Sequence, residues 1–168
     1  MKEIVYLSTK TITVKRNEFL KIKGSADTNI YDIEEGSIRV FVEDGLEEKI
    51  IRFGYKGNLL VALDSFLTLQ PSDLYIQAIK RTIVKVVTKQ QFEAFLAIDT
   101  NKNLWIKILE NLVVQQLERE IDLLTISPKE RYLKVRNRSP QLFQEIPEKY
   151  IANYLRMSAE TLSRLKKS

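Results

Sequence analysis

The sequence predicts an α+β protein in three parts: a double-stranded β-helix of the jelly-roll kind, one long helix, and a small all-helical domain. Three observations predict it. The first ninety or so residues break into short runs rich in β-branched residues, separated by turn signals. Near Thr88 the apolar period changes from two to between three and four. From Ser127 onward, serine and proline recur as helix-starting signals. The expected boundaries are residues 1–99, 100–126 and 127–168.

The strands come first. Ile12 and Val14 alternate in TITV, and IYDI ends at the turn EEGS. In IRVFV, the residues Ile38, Val40 and Val42 are expected to share one face, with a hairpin turn at Asp44-Gly45 before KIIRF resumes. YIQAI and IVKVV read as a later pair, separated by Lys80, Arg81 and Thr82. Close spacing of short strands points to a sandwich, jelly roll or roll.

Helices follow. Thr88 opens a capping box with Gln91 at its third position, ahead of Phe92, Phe95 and Leu96. A long helix is predicted from about Asn103 to Leu124. Ile106, Leu109, Val113, Leu117, Ile121 and Leu124 form one stripe, and Leu104, Trp105, Ile108 and Leu112 fall roughly opposite. Its first half is therefore apolar nearly all round and needs burial on two sides. One side fits the strand domain. The other predicts a homodimer, with a single core covering both sides as the alternative. Beyond it, Ser127-Pro128-Lys129-Glu130 reads as a cap, a first-turn proline and a closing glutamate. Ser139-Pro140 repeats the signal, Pro147 gives a third start, and Ser158 can cap a fourth helix.

Composition narrows the function. The chain has neither cysteine nor histidine. That excludes disulfides, thiol catalysis, iron–sulfur clusters, and the usual Ser-His and Cys-His arrangements, and it removes most zinc sites. Asp64 and Asp73 are the carboxylates of interest in the roll, and isolated loop aspartates are usually turn residues, so no enzyme is expected. No apolar run approaches the ~20 residues of a membrane span. The N-terminal stretch lacks a long apolar core, so no signal peptide and a cytoplasmic location are expected. Residues 127–168 carry ten Lys and Arg against four Glu, a net of +6, while the rest carries 17 basic and 18 acidic residues, a net of −1. Such asymmetry points to a polyanion partner.

The stretch IPEKYIANYLRMSAETLSRLKKS fits a helix-turn-helix. Ala152 is the small residue where two helices cross. Ile151, Leu155 and Met157 line the first helix and turn, and Leu162 and Leu165 anchor the second. What remains outward is Ser158 at the cap, then Ala159, Glu160, Thr161, Ser163, Arg164, Lys166 and Lys167. Arginine can bond guanine bidentately, glutamate can accept from cytosine, and the others suit phosphates. Glu160 and Arg164 are four apart and share one face. Double-stranded DNA is the expected partner. Arg156 sits where the turn most often has glycine, and an arginine adopts the left-handed conformation only at a cost.

The order of these parts resembles the Crp/Fnr family of bacterial transcription regulators over essentially the whole chain. NEFLKIKGSADTNIYDIEEGSIRVFVEDGLEEKIIRFGYKGN looks like the start of a cyclic-nucleotide-binding β-roll, with a glycine turn at Gly24. LEREIDLLTISPKERYLKVRNRSPQLFQEIPEKYIANYLRMSAETLSRLKK looks like the family's compact DNA-binding half. The resemblance implies that ETLSR lies on the recognition helix. Glu160 and Arg164 would then read bases, and Thr161, Ser163, Lys166 and Lys167 would meet phosphates or flanks. RNA polymerase is a further candidate partner. The sequence stops after this helix without the trailing β-wing of other members, so weaker binding per subunit and greater reliance on dimerisation are expected.

One departure concerns the effector. Cyclic-nucleotide-binding members carry G-E-[LI]-[AG] and a downstream arginine before small residues. Here the corresponding stretches run GNLLVALDSFL from Gly57 and QPSDLY from Gln70, with neither glutamate nor arginine. A remaining pocket would use Leu63, Ser65, Phe66, Ser72 and Tyr75. A pocket built for a buried phosphate does not lose its cation cheaply, so no response to cyclic AMP is expected, no cofactor is assigned, and the effector is unknown. The alternative is a ligand-binding roll with a degenerate DNA-binding head.

Overall fold

A computed structural model of the chain describes Ile4 and residues 6–167. The strands are β1 (Lys10–Val14), β2 (Phe19–Lys21), β3 (Ile30–Glu35), β4 (Ser37–Asp44), β5 (Glu47–Tyr55), β6 (Leu59–Val61), β7 (Tyr75–Ala78) and β8 (Thr82–Val87). The helices are α1 (Leu63–Thr68), α2 (Lys89–Leu96), α3 (Asp99–Leu124), α4 (Pro128–Arg138), α5 (Leu142–Glu145), α6 (Glu148–Tyr154) and α7 (Ala159–Lys167). The chain divides into two compact units, Met1–Trp105 and Ile106–Ser168, with the division inside α3.

The first unit is the predicted roll. Two antiparallel four-stranded sheets run β1-β8-β3-β6 and β2-β7-β4-β5. Between them pack Ile33, Val84 and Val86 from one sheet and Ile38, Val40 and Ile76 from the other. Each fully buried aliphatic side chain of this kind contributes roughly 1.5–3 kcal/mol. At the hairpin, Asp44 opposes Glu47, so Gly45 and Leu46 form a two-residue loop. Gly45 has φ +63°, as the first position of a primed hairpin turn requires.

Two strand expectations need correction. YIQAI and IVKVV do not pair: β7 and β8 lie in different sheets. Gly36 and Thr82 show why, because they form adjoining corners where the chain changes sheets. Gly36 has φ +94°, and a Cβ there would lie 2.4 Å from the Thr82 hydroxyl oxygen. Only glycine fits this corner. The Thr82 hydroxyl accepts from the Ser37 amide at 3.2 Å, so Thr82 is a buried corner strut and the first residue of β8.

The second correction concerns β4. Its alternation does not separate core from solvent, because Arg39 and Phe41 are as buried as Ile38 and Val40. On this outer face the Arg39 guanidinium lies 4.3 Å from the Phe41 ring centre and donates to Glu48 at 2.8 Å and to Gln77 at 2.9 Å. Tyr75 stacks on Phe41 with ring centres 4.9 Å apart. A paired arginine and stacked rings thus seal a face that a strand pattern would leave to solvent.

Thr88 caps α2 with the full capping box, Gln91 completing it. The long helix begins at Asp99, ahead of the expected Asn103. Trp105 packs edge-on to Phe92 at 4.9 Å and to Phe66 at 6.0 Å. Ser127 caps α4 by accepting from the Glu130 amide at 3.3 Å, with Pro128 in the first turn. Ser139 does not start a helix. It closes α4, its amide donating to the Val135 carbonyl, and α5 is only one turn long and has no side-chain cap. Among the described residues no helix is long and apolar enough to cross a membrane.

Candidate nucleic-acid interface

The second unit holds four short helices behind the end of α3. Tyr132 and Val135 of α4, Leu142 of α5, Ile146, and Ile151 and Ala152 of α6 are buried. Leu155 and Leu162 are fully buried at 0% exposure. The helix α7 packs on α6 and α4. Ala152 has no side chain beyond its methyl, which allows the close crossing.

The turn between α6 and α7 is a Schellman motif. Arg156 has φ +53°, its amide donates to the Asn153 carbonyl at 3.0 Å, and the Met157 amide donates to the Ala152 carbonyl at 3.0 Å. An arginine therefore holds the left-handed position that glycine usually fills. Ser158 then caps α7, its hydroxyl oxygen accepting from the Thr161 amide at 3.1 Å. The sharp stop and the cap together fix the direction in which α7 leaves the turn.

Each residue expected at the interface has a defined place. Ser158, Ala159, Glu160, Arg164, Lys166 and Lys167 are exposed, and Thr161 and Ser163 are half-buried at the edges. Leu162 seals the opposite face, with Leu165 half-buried beside it. The Lys166 ammonium forms an ion pair with Glu148 of α6. The basic residues Arg164, Lys166 and Lys167 sit in the last turn of α7, where they also complement the negative end of the helix dipole.

Behind the turn is a set of charged residues that strand and helix periodicity did not single out. Arg119 and Asp122, both on α3, are 6% and 1% exposed. Arg119 donates to the Tyr154 carbonyl, and its guanidinium lies 3.6 Å from the centre of the Tyr154 ring. Burial holds its pKa below the ordinary arginine range. Arg131 of α4, 7% exposed, donates to the Thr125 carbonyl and, at 3.2 Å, to the Arg156 carbonyl. Arg138 forms an ion pair with Asp122, and that hydrogen bond raises its pKa. Glu118 lies 3.4 Å from Arg138 as well. The signal in the sequence was a charged residue at each of positions 118, 119 and 122, on the side of the helix away from the Val113-Leu117-Ile121 stripe.

On that stripe, Ile106, Val113, Leu117 and Ile121 are all between 52% and 60% exposed, and Leu124 is 75% exposed. Leu109 is half-buried. Together they form an exposed apolar stripe along the helix.

The five expected pocket residues have these surroundings. Leu63, Ser65 and Phe66 share α1, where Phe66 faces Phe92 at 5.5 Å. Ser72 accepts through its carbonyl from the Gly24 amide at 2.9 Å and from the Lys21 ammonium at 3.3 Å. Tyr75 stands on the outer face beside Phe41 and donates to Glu43 at 2.8 Å. Lys21 is 3% exposed, and its ammonium also reaches the carbonyls of Ile22 at 3.2 Å and Leu74 at 2.9 Å. Three carbonyls take up its three protons, and burial lowers its pKa. An open cleft of about 300 Å³ in the roll is lined by residues of β1 and β2 together with Asn29, Tyr31 and Val86. The Tyr31 hydroxyl donates to Asp27 at 2.8 Å, and burial pushes its pKa well above the ordinary tyrosine value.

No protein-family model matches the chain, and no curated protein matches it either. Solved structures do. The structure of FixK2 from Bradyrhizobium japonicum is 20% identical, with 94% of this chain covering 82% of that one at a TM-score of 0.73. The c-di-GMP-responsive global regulator CLP from Xanthomonas campestris is 12% identical, with 99% of this chain covering 88% of that one at a TM-score of 0.65. The catabolite activator protein of Thermus thermophilus is 19% identical, with 99% of this chain covering 80% of that one at a TM-score of 0.59. A β-roll leading through one long helix to a small helical domain is the class of fold these structures share with the chain. The chain has a Crp/Fnr-like fold.

Proposed function

We propose that the protein is a dimeric, sequence-specific DNA-binding transcription regulator. The observation that carries this reading is the two-sided character of α7. Leu162 is sealed into the helical core, while Glu160, Arg164, Lys166 and Lys167 stand outward on a helix whose exit angle is fixed by a Schellman turn and a serine cap. Arg164 and Glu160 are the base readers in this account. Lys166, Lys167 and Ser163 meet phosphates, and Ser158, Ala159 and Thr161 flank the backbone.

The exposed stripe of α3 is the dimer contact. Ile106, Val113, Leu117 and Ile121 recur at steps of seven, four and four, as one face of a helix pair requires. Two heads on one dimer would present their recognition helices to half-sites about one DNA turn apart. Residues 1–99 serve as the sensor or scaffold, 100–126 as the dimer helix, and 127–168 as the DNA-binding part. A regulator of this kind works in the cytoplasm, with RNA polymerase as its natural further partner.

The roll does not answer to cyclic AMP in this reading. Residues 57–67 and 70–75 offer neither the glutamate nor the arginine of a phosphate cassette, and Lys21 is engaged by three carbonyls. Titration calorimetry with cyclic AMP should show no heat of binding; a dissociation constant in the low micromolar range would overturn this part.

Sedimentation velocity tests the assembly. The free protein should sediment as a dimer and should shift a mixed-sequence duplex at low salt, with the shift lost as salt rises. A monomer that leaves the duplex unshifted would contradict the proposal.

A further inference from the structure

We propose that Arg119 is a positioning residue for DNA recognition, a clamp that fixes the recognition helix to the long helix α3; this rests on the DNA-binding reading above. Apolar periodicity gives Arg119 no role. It lies among the acidic and polar positions of α3, yet it is 6% exposed.

Its contacts converge on one place. Through its Nη2 group Arg119 donates to the carbonyl of Tyr154, the last residue of α6. Its plane lies against the Tyr154 ring, 3.6 Å from the centre. A guanidinium held by both a carbonyl and a ring face has little freedom to swing. Two residues further on, the carbonyl of Arg156 accepts from Arg131 at 3.2 Å, and Arg131 also holds the Thr125 carbonyl just after α3. The C-terminal end of α6 carries the negative pole of its dipole. Two buried cations occupy it. Asp122 of α3, 1% exposed and paired with Arg138 of α4, adds a third tie between α3 and the helices behind the turn.

The consequence is geometric. The turn at Leu155–Ser158 sets the direction of α7, and Arg119 pins the start of that turn to α3. A rotation or tilt of α3 is therefore delivered to α7 without slack. In a dimer built on α3, this fixes the distance and angle between the two recognition helices. Base reading within one half-site depends on α7 alone. Tolerance for the spacing between half-sites depends on the clamp.

The variants that test this are Arg119→Lys, which keeps a charge but not the planar fork, and Tyr154→Leu, which keeps the carbonyl and removes the ring. Two readouts are taken on each folded protein. The first is selection from a duplex pool in which the spacer between half-sites varies. The expected result is the wild-type half-site sequence with a spacer preference spread over neighbouring lengths. The second is amide hydrogen exchange. The Arg156 and Met157 amides should exchange at least tenfold faster, with amides of the roll strands unchanged. A spacer preference as strict as that of the wild type overturns the clamp, and so does unchanged exchange at the turn. If the wild type selects no motif, the DNA-binding reading has failed instead, and exchange alone then decides whether Arg119 holds the turn.

Discussion

In the roll, Arg39 is buried beside a carboxylate, whereas in the head Arg119 and Arg131 are buried against backbone carbonyls. Arg39 has Glu48 and Gln77 around it and a ring on its flank, so its charge is balanced where it stands. Arg119 and Arg131 hold carbonyls at the end of a helix and in the turn after it instead, and each leaves one buried nitrogen, Nη1 of Arg119 and Nε of Arg131, without a hydrogen-bond partner among the described residues. The same residue type does two jobs. In the first unit it closes a sheet face; in the second it fixes a turn. Residues 127–168, which supply Arg131 and the turn it holds, carry a net +6, while the rest of the chain carries −1. In the roll the buried charges Lys21, Asp27 and Arg39 each have polar partners, and most other charged side chains are at the surface. Charge in the head is partly structural, behind the turn, and partly offered to solvent on α7.

The largest test of this contrast asks whether the two units are separable. Leu162→Ala removes a fully buried side chain from the head and should cost roughly 2–5 kcal/mol there. The single tryptophan, Trp105, packs on Phe92 and Phe66 and so reports on the roll. In denaturant, the helical circular dichroism transition should move to lower concentration while the Trp105 fluorescence midpoint stays. Equal movement of both would erase the distinction.

Next in size is Arg164→Ala, which should lose about 1–3 kcal/mol of discrimination at one base pair in each half-site, measured by competition between matched and mismatched duplexes. Lys167→Ala should instead weaken binding to every duplex and lower the salt slope by about one. Glu48→Gln touches the roll alone. Because the Glu48 side chain is 43% exposed, its loss should cost only about 1–2 kcal/mol of stability in denaturant titration and leave base preference unaltered. A change in base preference would link the regions in a way this account does not include. The smallest effect is at the turn. Arg156→Gly removes a side chain from a left-handed position and should raise the stability of the head by about 0.5–1 kcal/mol in the same titration.

How much of this could be read beforehand depends on how local its cause is. Thr88, Ser127 and Ser158 announce helix starts because a cap acts within three residues. Arg156 could be placed in the left-handed turn from its position between two short helical patterns. The Ser139-Pro140 signal misled, since the same serine–proline pair suits the end of one helix as well as the start of another. The crossing of β7 and β8 between sheets was hidden because it rests on Gly36 meeting Thr82, forty-six positions apart. Buried charge was the other blind spot. Arg39, Arg119 and Asp122 look solvated in any periodic pattern, and only the fold brings their partners to them. The surroundings of the five residues expected at a pocket also come from the fold: Phe66 meets Phe92, the Ser72 carbonyl accepts from Lys21, and Tyr75 donates to Glu43.

The most direct measurement is selection by the purified protein from a randomised duplex pool, at fixed near-physiological salt and with no added ligand. The protein should recover a two-fold symmetric motif whose half-sites lie about one DNA turn apart. Salt-sensitive retention with no enriched sequence would contradict it, leaving a basic head that binds polyanions without reading them.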